Sequence, residues 1–140
     1  MTLDQQEANK ALMREFIDVV QNQHDLEAID RFFSPDFVNY TIQPPFPKNR
    51  EGSTEVHRAL FAGIPDLKTV IDDLAADGDK VWTYKTMSGT HAGDLYGIPP
   101  TGQAIRFKVI DIMTIQNGKI TEHWHVTDLG QLLDQLRAEQ

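Results

Sequence analysis

The chain has 140 residues, a net charge of −8, 40% hydrophobic residues and no cysteine. This length and composition predict a single globular domain over residues 1–140, and the lack of cysteine excludes disulfides and thiolate chemistry. The negative charge disfavours nucleic acid as a partner, no apolar run approaches the roughly 18 residues that span a bilayer, and the N-terminus lacks the features of a secretory signal. We therefore expect a cytoplasmic protein without nucleic-acid or membrane partners.

The beginning of the chain predicts two helices. Apolar residues recur at helical spacing over residues 4–22 and indicate an amphipathic helix. Asp25 is a suitable N-cap for a second helix over residues 26–33, which Pro35 would end.

An irregular segment follows these helices. Residues 37–41 have the composition of a short strand, and residues 44–50 predict a proline-rich surface loop that could serve as a lid. A third helix is predicted over residues 53–61, closed by Gly63 and Pro65. Three helical elements thus precede the main sheet.

From Leu67 onward the apolar period changes to two, which is typical of strands. Helices first and strands later indicate an α+β domain, in which a curved antiparallel β-sheet packs on the N-terminal helices and a short C-terminal helix covers one open end. The predicted segments are a strand over 69–75, a turn at Asp77-Gly78, a strand over 81–91, a loop over 93–102, a hairpin over 107–126 and a helix over 129–136.

The predicted hairpin carries ionisable residues on an otherwise apolar pair of strands. Asn117-Gly118 marks the turn, and the length of the loop decides which side chains share a face. A two-residue loop would pair Asp111 with Trp124 and put the histidines on the opposite face. A three-residue loop, with Gly118 left-handed in a bulge, would pair Asp111 with His123.

We favour the three-residue loop because it sorts the hairpin into two consistent faces. One face is then wholly apolar, with Ile110, Ile112 and Trp124. Desolvating ionisable groups without partners costs several kcal/mol, so a polar pocket is the functional interpretation of the other face. That face carries Asp111, His123 and His125 together with Phe107, Val109 and Met113.

Two other interpretations of this cluster remain open. Asp111 can simply accept a hydrogen bond from one histidine and fix the hairpin. Alternatively, His123 and His125 point the same way and form, with Asp111, a two-histidine, one-carboxylate metal set, although no further ligand is evident on that face. Our prediction is an acid/base site without a metal.

The apolar face of the hairpin requires a cover. Ile110, Ile112 and Trp124 form a strip that is too apolar to be left in water. The sequence therefore predicts a homodimer that packs through this face.

Several further residues are candidates for the wall of the pocket. Asn39 could hold a substrate carbonyl and stabilise an enolate oxygen, or it could satisfy a turn at the end of a strand. His57 could point into the cavity from the third helix, and Trp82 and Tyr84 share one strand face, as pocket wall or as core. The remaining candidates for substrate contact are Tyr40, His91, Phe16, Phe61, Phe107, Val109 and Met113.

Motifs in order along the chain resemble one known family. They are Ser34-Pro35-Asp36-Phe37, Gly89-Thr90-His91-Ala92-Gly93, Gly97-Ile98-Pro99-Pro100-Thr101-Gly102, Asn117-Gly118-Lys119-Ile120, Glu122-His123-Trp124 and Leu132-Leu133-Asp134-Gln135-Leu136. Together they resemble the SnoaL-like polyketide cyclases of the NTF2-like superfamily. The resemblance implies a cone of curved antiparallel sheet and helices, usually dimeric, which encloses one apolar cavity and works by acid/base chemistry without a cofactor.

The resemblance also implies roles for individual residues. Characterised cyclases of this family close a ring by an intramolecular aldol reaction, in which an aspartate moves the proton and no metal takes part. Aligned through Asn117-Gly118-Lys119-Ile120, that aspartate falls at His125 and a histidine of the preceding strand falls at Asp111, so the two residue types are exchanged. His125 is then expected as general base, with Asp111 orienting its ring or stabilising the imidazolium. Asn39 and His91 match a polar pocket position and a histidine of the family pattern.

The function expected from the sequence is that of a cofactor-independent acid/base enzyme. It would remove a proton next to the carbonyl group of a small, largely apolar compound, giving cyclisation, isomerisation or dehydration, with His125, Asp111 and His123 as catalytic residues. Two alternatives use the same cavity: a non-catalytic protein that binds a lipid or metabolite, and a hydrolase in which the aspartate and histidine activate water.

Overall fold

The computed structural model describes residues 2–140, which form four α-helices and one five-stranded sheet. The helices are α1 (Leu3–Phe16), α2 (Ile29–Phe32), α3 (Arg50–Gly63) and α4 (Leu129–Ala138); a π-helical turn (Ile17–Asn22) extends α1, and a 3₁₀ turn (Leu26–Ala28) leads into α2. The strands are β1 (Phe33–Asn39), β2 (Lys68–Asp77), β3 (Lys80–Thr90), β4 (Ala104–Gln116) and β5 (Lys119–Thr127). Within these residues, no helix combines the length and the hydropathy needed to cross a bilayer.

The strands form a curved sheet in the order β1-β5-β4-β3-β2. Neighbouring strands from β2 to β5 are antiparallel, as predicted, whereas β1 pairs with β5 in parallel. The predicted α+β fold is confirmed, and the wholly antiparallel sheet is corrected to a mixed one. The difference arises because β1 joins the edge of the sheet without a hairpin, and only a hairpin enforces antiparallel pairing.

Side-chain caps explain where two helices begin. The Thr2 hydroxyl accepts a hydrogen bond from the backbone N–H of Gln5, and the Gln5 side chain accepts one from the backbone N–H of Thr2, which forms a capping box at the start of α1. Asn49 caps α3 by accepting a hydrogen bond from the backbone N–H of Gly52.

The second predicted helix is shorter than expected. Asp25 makes no side-chain cap, and the segment over residues 26–33 forms only the 3₁₀ turn and the four residues of α2. Phe33 already belongs to β1, where its ring packs against Phe16 and Phe37. Burial of this ring in an aromatic cluster therefore outweighs the helical pattern of the sequence.

The buried core consists of two apolar clusters on the inner face of the sheet. The first cluster joins α1, α2 and β1 to one end of β4 and includes Phe37 and Met113. The second cluster joins α3 and α4 to the other end of β4 and includes Leu60 and Phe107. Asp111 lies on β4 between the residues of the two clusters, so a buried charged side chain separates them.

The β4–β5 hairpin differs from the predicted one at its turn. Gln116 pairs with Lys119, and Asn117 and Gly118 have φ angles of 53° and 74°. The loop therefore has two residues in the type I′ conformation, and the predicted three-residue loop is wrong.

A bulge at Thr121 brings the histidines to the predicted face by another route. The pairing shifts by one residue near the turn, which leaves Thr121 without an opposite residue on β4. Beyond the bulge Asp111 pairs with His125, so the predicted pairs Asp111–His123 and Val109–His125 are both displaced. Because side chains alternate along a strand, this extra residue turns both histidines to the same inner face as Asp111.

Gly52 lies where α3 meets the proline-rich loop. A Cβ at this position would lie 1.7 Å from the carbonyl oxygen of Pro47, so the backbone of the loop would have to shift. Replacing Gly52 with alanine should therefore lower the free energy of unfolding, measured by urea denaturation, by about 1–3 kcal/mol, the range typical of overpacking.

The same substitution at Gly130 of α4 provides a matched control. No atom lies within 4 Å of a Cβ built there. Alanine favours the helix over glycine by up to about 1 kcal/mol, so Gly130→Ala should leave stability unchanged or raise it. Equal effects of the two substitutions would contradict the close packing at Gly52.

Candidate active site

A cavity of about 530 Å³ lies between the inner face of the sheet and the helices. Its wall comes from the π-helical turn, α3, α4 and the inner positions of β3, β4 and β5. Residues 42–46, which include the start of the proline-rich loop, contribute one side. The volume and the mostly apolar wall suit a small organic molecule. Apolar wall residues include four that were predicted from the sequence, Phe16, Phe107, Val109 and Met113.

Asp111 is the centre of the polar part of this wall. Its side chain is 4% exposed, and its two carboxylate oxygens contact different partners. Oδ1 accepts a hydrogen bond from His123 Nε2 at 2.7 Å, and Oδ2 forms an ion pair with Lys85 Nζ at 2.5 Å. The sequence correctly indicated that Asp111 and His123 share a face, but it did not identify Lys85.

These contacts set the ionisation of Asp111. Burial by itself raises the pKa of a carboxyl group, because the charged form loses its hydration. The positive charge of Lys85 and the hydrogen bond from His123 outweigh burial and hold the pKa of Asp111 well below its ordinary value. Asp111 is therefore a carboxylate at neutral pH and stabilises positive charge beside it.

Lys85 connects Asp111 to a second group of polar side chains. Its Nζ donates a hydrogen bond to Gln21 Oε1 at 3.2 Å, and Gln21 Nε2 lies 3.1 Å from His57 Nε2. His57 Nδ1 lies 2.7 Å from the carbonyl oxygen of Ser53. Polar groups from the π-helical turn, α3, β3 and β4 thus form one continuous chain along the wall.

The π-helical turn explains how Gln21 reaches this chain. The first helix was predicted to continue regularly to residue 22, but its last six residues, Ile17–Asn22, wind more widely. Gln21 is only 3% exposed and lines the cavity. Such turns are frequent at functional sites, but apolar periodicity does not reveal them, so Gln21 was not among the predicted residues.

The hydrogen bonds of His57 define its protonation. The Ser53 carbonyl can only accept, so Nδ1 carries the proton and Nε2 accepts from the Gln21 amide. Burial is the main reason that the pKa of His57 falls to about 4. His57 lies in the cavity wall, as predicted, but it is neutral at pH 7 and both of its ring nitrogens are bonded.

The two histidines of β5 have different surroundings. His123 donates its Nε2 hydrogen to Asp111, and its Nδ1 is buried without a hydrogen-bond partner among residues 2–140. The ring of His125 lines the cavity and makes no hydrogen bond among residues 2–140, while its backbone N–H donates to the Thr41 hydroxyl. Burial, with the nearby positive charges, lowers the pKa of His125, so its ring is neutral at pH 7 and can accept a proton.

The contact between Asp111 and His125 differs from the expectation. Asp111 was expected to orient the His125 ring, but its hydrogen bond goes to His123. The bulge places His125 opposite Asp111 and His123 diagonal to it, a position from which a long side chain still reaches the carboxylate. Among residues 2–140, no three histidine, aspartate or glutamate side chains form a metal-ligating cluster.

Asn39 ends β1, and its two amide atoms have separate roles. Oδ1 accepts hydrogen bonds from the backbone N–H groups of Thr41 and Ile42, at 3.2 and 3.1 Å, which determines the orientation of the amide. Nδ2 has no acceptor among residues 2–140, and the side chain lines the cavity. Asn39 therefore satisfies a turn and also presents a donor to the cavity.

Three residues predicted for the wall lie on the outer face of the sheet instead. Trp82 and Tyr84 alternate with Lys85 along β3, and neither lines the cavity. Tyr40 stacks on Trp124 with ring centroids 5.0 Å apart. The prediction is wrong because the aromatic side of β3 faces outward while the lysine, paired with a carboxylate, faces inward.

His91 and Phe61 also lie outside the cavity. His91 is fully buried, and its Nδ1 accepts hydrogen bonds from the backbone N–H and the hydroxyl of Thr101 while its Nε2 donates to the Ile98 carbonyl. It thus fixes the loop before β4 instead of facing the mouth of the cavity. Phe61 stacks on His24 at a centroid distance of 4.0 Å.

Comparisons with known proteins cover nearly the whole chain. A family model described as SnoaL-like polyketide cyclase matches residues 11–136. Nogalonic acid methyl ester cyclase from Streptomyces nogalater is 28% identical over 112 residues, which cover 77% of this chain and 82% of that protein.

Two solved structures are also similar. TsrD from Streptomyces laurentii has 30% identity and a TM-score of 0.81, covering 93% of this chain and 95% of that one. IdmH from Streptomyces antibioticus has 27% identity and a TM-score of 0.78, covering 91% and 97%.

The curved sheet, the helices packed on it and the enclosed cavity define an NTF2-like cone. The match over residues 11–136 specifies the group within this fold: the chain belongs to the SnoaL-like polyketide cyclase family. The family predicted from the sequence motifs is thereby confirmed.

His57 makes the stability of the protein depend on pH. A histidine in the unfolded chain titrates near about pH 6.5, whereas folded His57 stays neutral down to a pKa of about 4. As the pH falls through this window, the unfolded state binds a proton that the folded state does not, so stability is lost, by about 3 kcal/mol in total.

The variant His57→Gln tests this assignment, because glutamine keeps a donor and an acceptor but has no titrating ring. Urea unfolding should show a smaller loss of stability between about pH 7 and about pH 4 than in the wild type. His24→Asn removes a ring that stacks on Phe61 outside the cavity and is measured in parallel as the control for the loss of a histidine. Identical pH dependence of His57→Gln and the wild type would contradict a neutral, buried His57.

Proposed function

We propose that the protein is a general acid/base enzyme of the cyclase type that works without a cofactor, with His125 as its base. The observation that carries the proposal is the neutral His125 ring, which lines the cavity opposite the Asp111 carboxylate and whose nitrogens make no hydrogen bond among residues 2–140. Membership of the family supports cyclase chemistry, and the mostly apolar wall supports a small, largely apolar carbonyl substrate.

In the proposed reaction, His125 removes a proton from the carbon next to a carbonyl group, and the electron pair of the C–H bond forms an enolate. The amide nitrogen of Asn39 is available to donate a hydrogen bond to a substrate oxygen. The enolate carbon then attacks a second carbonyl group of the same molecule and forms a carbon–carbon bond. The imidazolium returns its proton to the resulting alkoxide, which completes an aldol ring closure with no net gain or loss of protons.

Asp111 and His123 have electrostatic and positioning roles in this scheme. The Asp111 carboxylate stabilises the His125 imidazolium that forms in the first step, because the two residues face each other across β4 and β5. His123 holds this carboxylate through the 2.7 Å hydrogen bond. Both histidines line the cavity, but His123 has its Nε2 bonded to Asp111 and its Nδ1 buried, whereas the His125 ring makes no hydrogen bond among residues 2–140. This difference favours His125 as the base.

Replacing His125 with asparagine should abolish most of the activity while the protein stays folded. Nogalonic acid methyl ester, after which the Streptomyces nogalater relative is named, is the first substrate to assay. Loss of a general base should lower kcat/KM for its ring closure by about 10²–10⁴-fold. In the wild type, kcat/KM should be constant at neutral pH and fall only below about pH 6.5, because burial lowers the pKa of His125.

The matched control is again His24→Asn, which removes a histidine outside the cavity and should leave kcat/KM unchanged. Ring closure by His125→Asn at the wild-type rate would refute His125 as the base. Wild-type protein that binds carbonyl compounds and returns them unchanged would favour the non-catalytic alternative.

We also propose that the protein is a homodimer that packs through the outer face of the sheet. Ile110 lies between Tyr84 and Val126 on neighbouring strands. These three side chains are 37%, 39% and 65% exposed, respectively. A contiguous apolar surface of this kind is typical of an interface between copies of a chain.

Ile110→Glu should dissociate this dimer, because it would bury a charge at the centre of the interface. Sedimentation velocity should give the mass of a dimer for the wild type and of a monomer for the variant. Leu3→Glu, at a 78% exposed position of α1, is the control and should remain dimeric. A wild type that is monomeric at every concentration would contradict the proposal.

A further inference from the structure

Lys85 is the least expected side chain of the cavity. It lies on the inner face of β3 with its side chain 4% exposed and contributes to the cavity wall. An ammonium group has three N–H donors and must be compensated when it is removed from water. The Asp111 carboxylate and Gln21 Oε1 are the partners of two of these N–H groups, and the third N–H group has no acceptor among residues 2–140.

The Lys85 ammonium group is paired with a buried carboxylate. Asp111 lies 2.5 Å away and is itself held as a carboxylate. Gln21 accepts from Lys85 through its amide oxygen, and its amide nitrogen donates to His57 Nε2. Lys85 is therefore held between the Asp111 carboxylate and the Gln21 amide oxygen.

The other ionisable groups around Lys85 do not cancel this charge. His57 and His125 are neutral at pH 7, and His123 is bonded to the far oxygen of Asp111. The Asp111 charge is shared between Lys85 and His123. An oxygen bonded to the third N–H of Lys85 would lie closer to Nζ than to the carboxylate, so the net interaction with a negative oxygen is attractive.

We propose that Lys85 forms a binding site for an anionic oxygen in this cavity, and that its ligands are small, largely apolar molecules with one acidic oxygen, such as an enol or a phenol, bound in the ionised form. This inference deepens the proposed function and rests on it for catalysis, since the enolate formed by His125 is an oxygen anion of this class. Lys85 would then serve as the donor that stabilises the enolate. Binding itself requires no turnover.

The position of Lys85 supports this role. Lys85 is diagonal to Asp111, because Thr83, two residues earlier on β3, pairs with Asp111, and His125 pairs with Asp111 from the other side. The charge of Lys85 is close enough to contribute to the lowered pKa of His125. A proton acceptor and a cationic donor thus flank one carboxylate on the same wall of the cavity.

The test uses 4-nitrophenol, whose ionisation is visible by absorbance, titrated with pH in the presence of excess wild-type protein. The bound phenol should ionise at a pH at least about one unit below that of the free phenol, a tenfold change in its ionisation constant. In Lys85→Met this shift should be lost or reversed, because an apolar cavity disfavours the charged form.

Two variants separate the charge of Lys85 from its effect on folding. Lys68→Met removes an exposed lysine of β2 and should keep the wild-type shift. Lys85→Met leaves Asp111 buried without its cation, so the double variant Lys85→Met/Asp111→Asn is measured as well. It removes both charges and should also lose the shift.

Three results would overturn the anionic-oxygen site: a bound phenol with its solution pKa or a higher one, an unchanged shift in both Lys85 variants, or no saturable binding of 4-nitrophenol or 2-naphthol to the wild type. The outcome is independent of catalysis. Ionised phenol bound by a wild type that closes no ring would refute the proposed enzyme and support the Lys85 site. Ring closure by a wild type that shows no preference for the ionised phenol would support the proposed enzyme and refute the Lys85 site.

Discussion

The buried charge of Asp111 is the constraint on which the rest of the structure depends. A carboxylate without hydration is stable at this position only because Lys85 lies 2.5 Å from one oxygen and His123 donates a hydrogen bond to the other. Lys85 needs a further acceptor, which the π-helical turn supplies as Gln21, and Gln21 in turn contacts His57 of α3. One charge thus ties together three strands, a helix and an irregular turn. The two apolar clusters pack on either side of it, so the polar wall of the cavity is part of the core.

The sequence was sufficient for the architecture and for much of the cavity, because alternation along β4 and β5 and the family motifs point to the same arrangement. It was not sufficient for β3. Alternation shows that the side chain of Lys85 points to the other face of the sheet from Trp82 and Tyr84, but it does not show which of the two faces is the inner one. Aromatic side chains are usually inside and lysines outside, since burying an ammonium group is costly. Here the cost is offset by Asp111 on the neighbouring strand, a partner that only the three-dimensional structure identifies.

For the β4–β5 hairpin, the sequence predicted the correct inner face but the wrong turn. Asn117 and Gly118 were assigned to a longer loop because that loop would bring Asp111 and the histidines together. The structure has the shorter loop and inserts Thr121 instead. A threonine has no distinctive preference for a bulge over a regular strand, so nothing in the local sequence marks this position. Burial of the inner face, which spans several strands, determines the register.

The π-helical turn has a consequence for how this cavity can change during evolution. Residues 17–22 hold Gln21 at the cavity because the turn contains more residues than a regular helix would. Deleting one codon here would restore the regular winding and redirect the side chains within the turn, while the residues before and after it keep their present faces. The deletion would remove the neutral acceptor of Lys85 without altering any strand of the sheet. Small insertions and deletions in this one segment are thus a route by which a common scaffold can acquire cavities of different polarity.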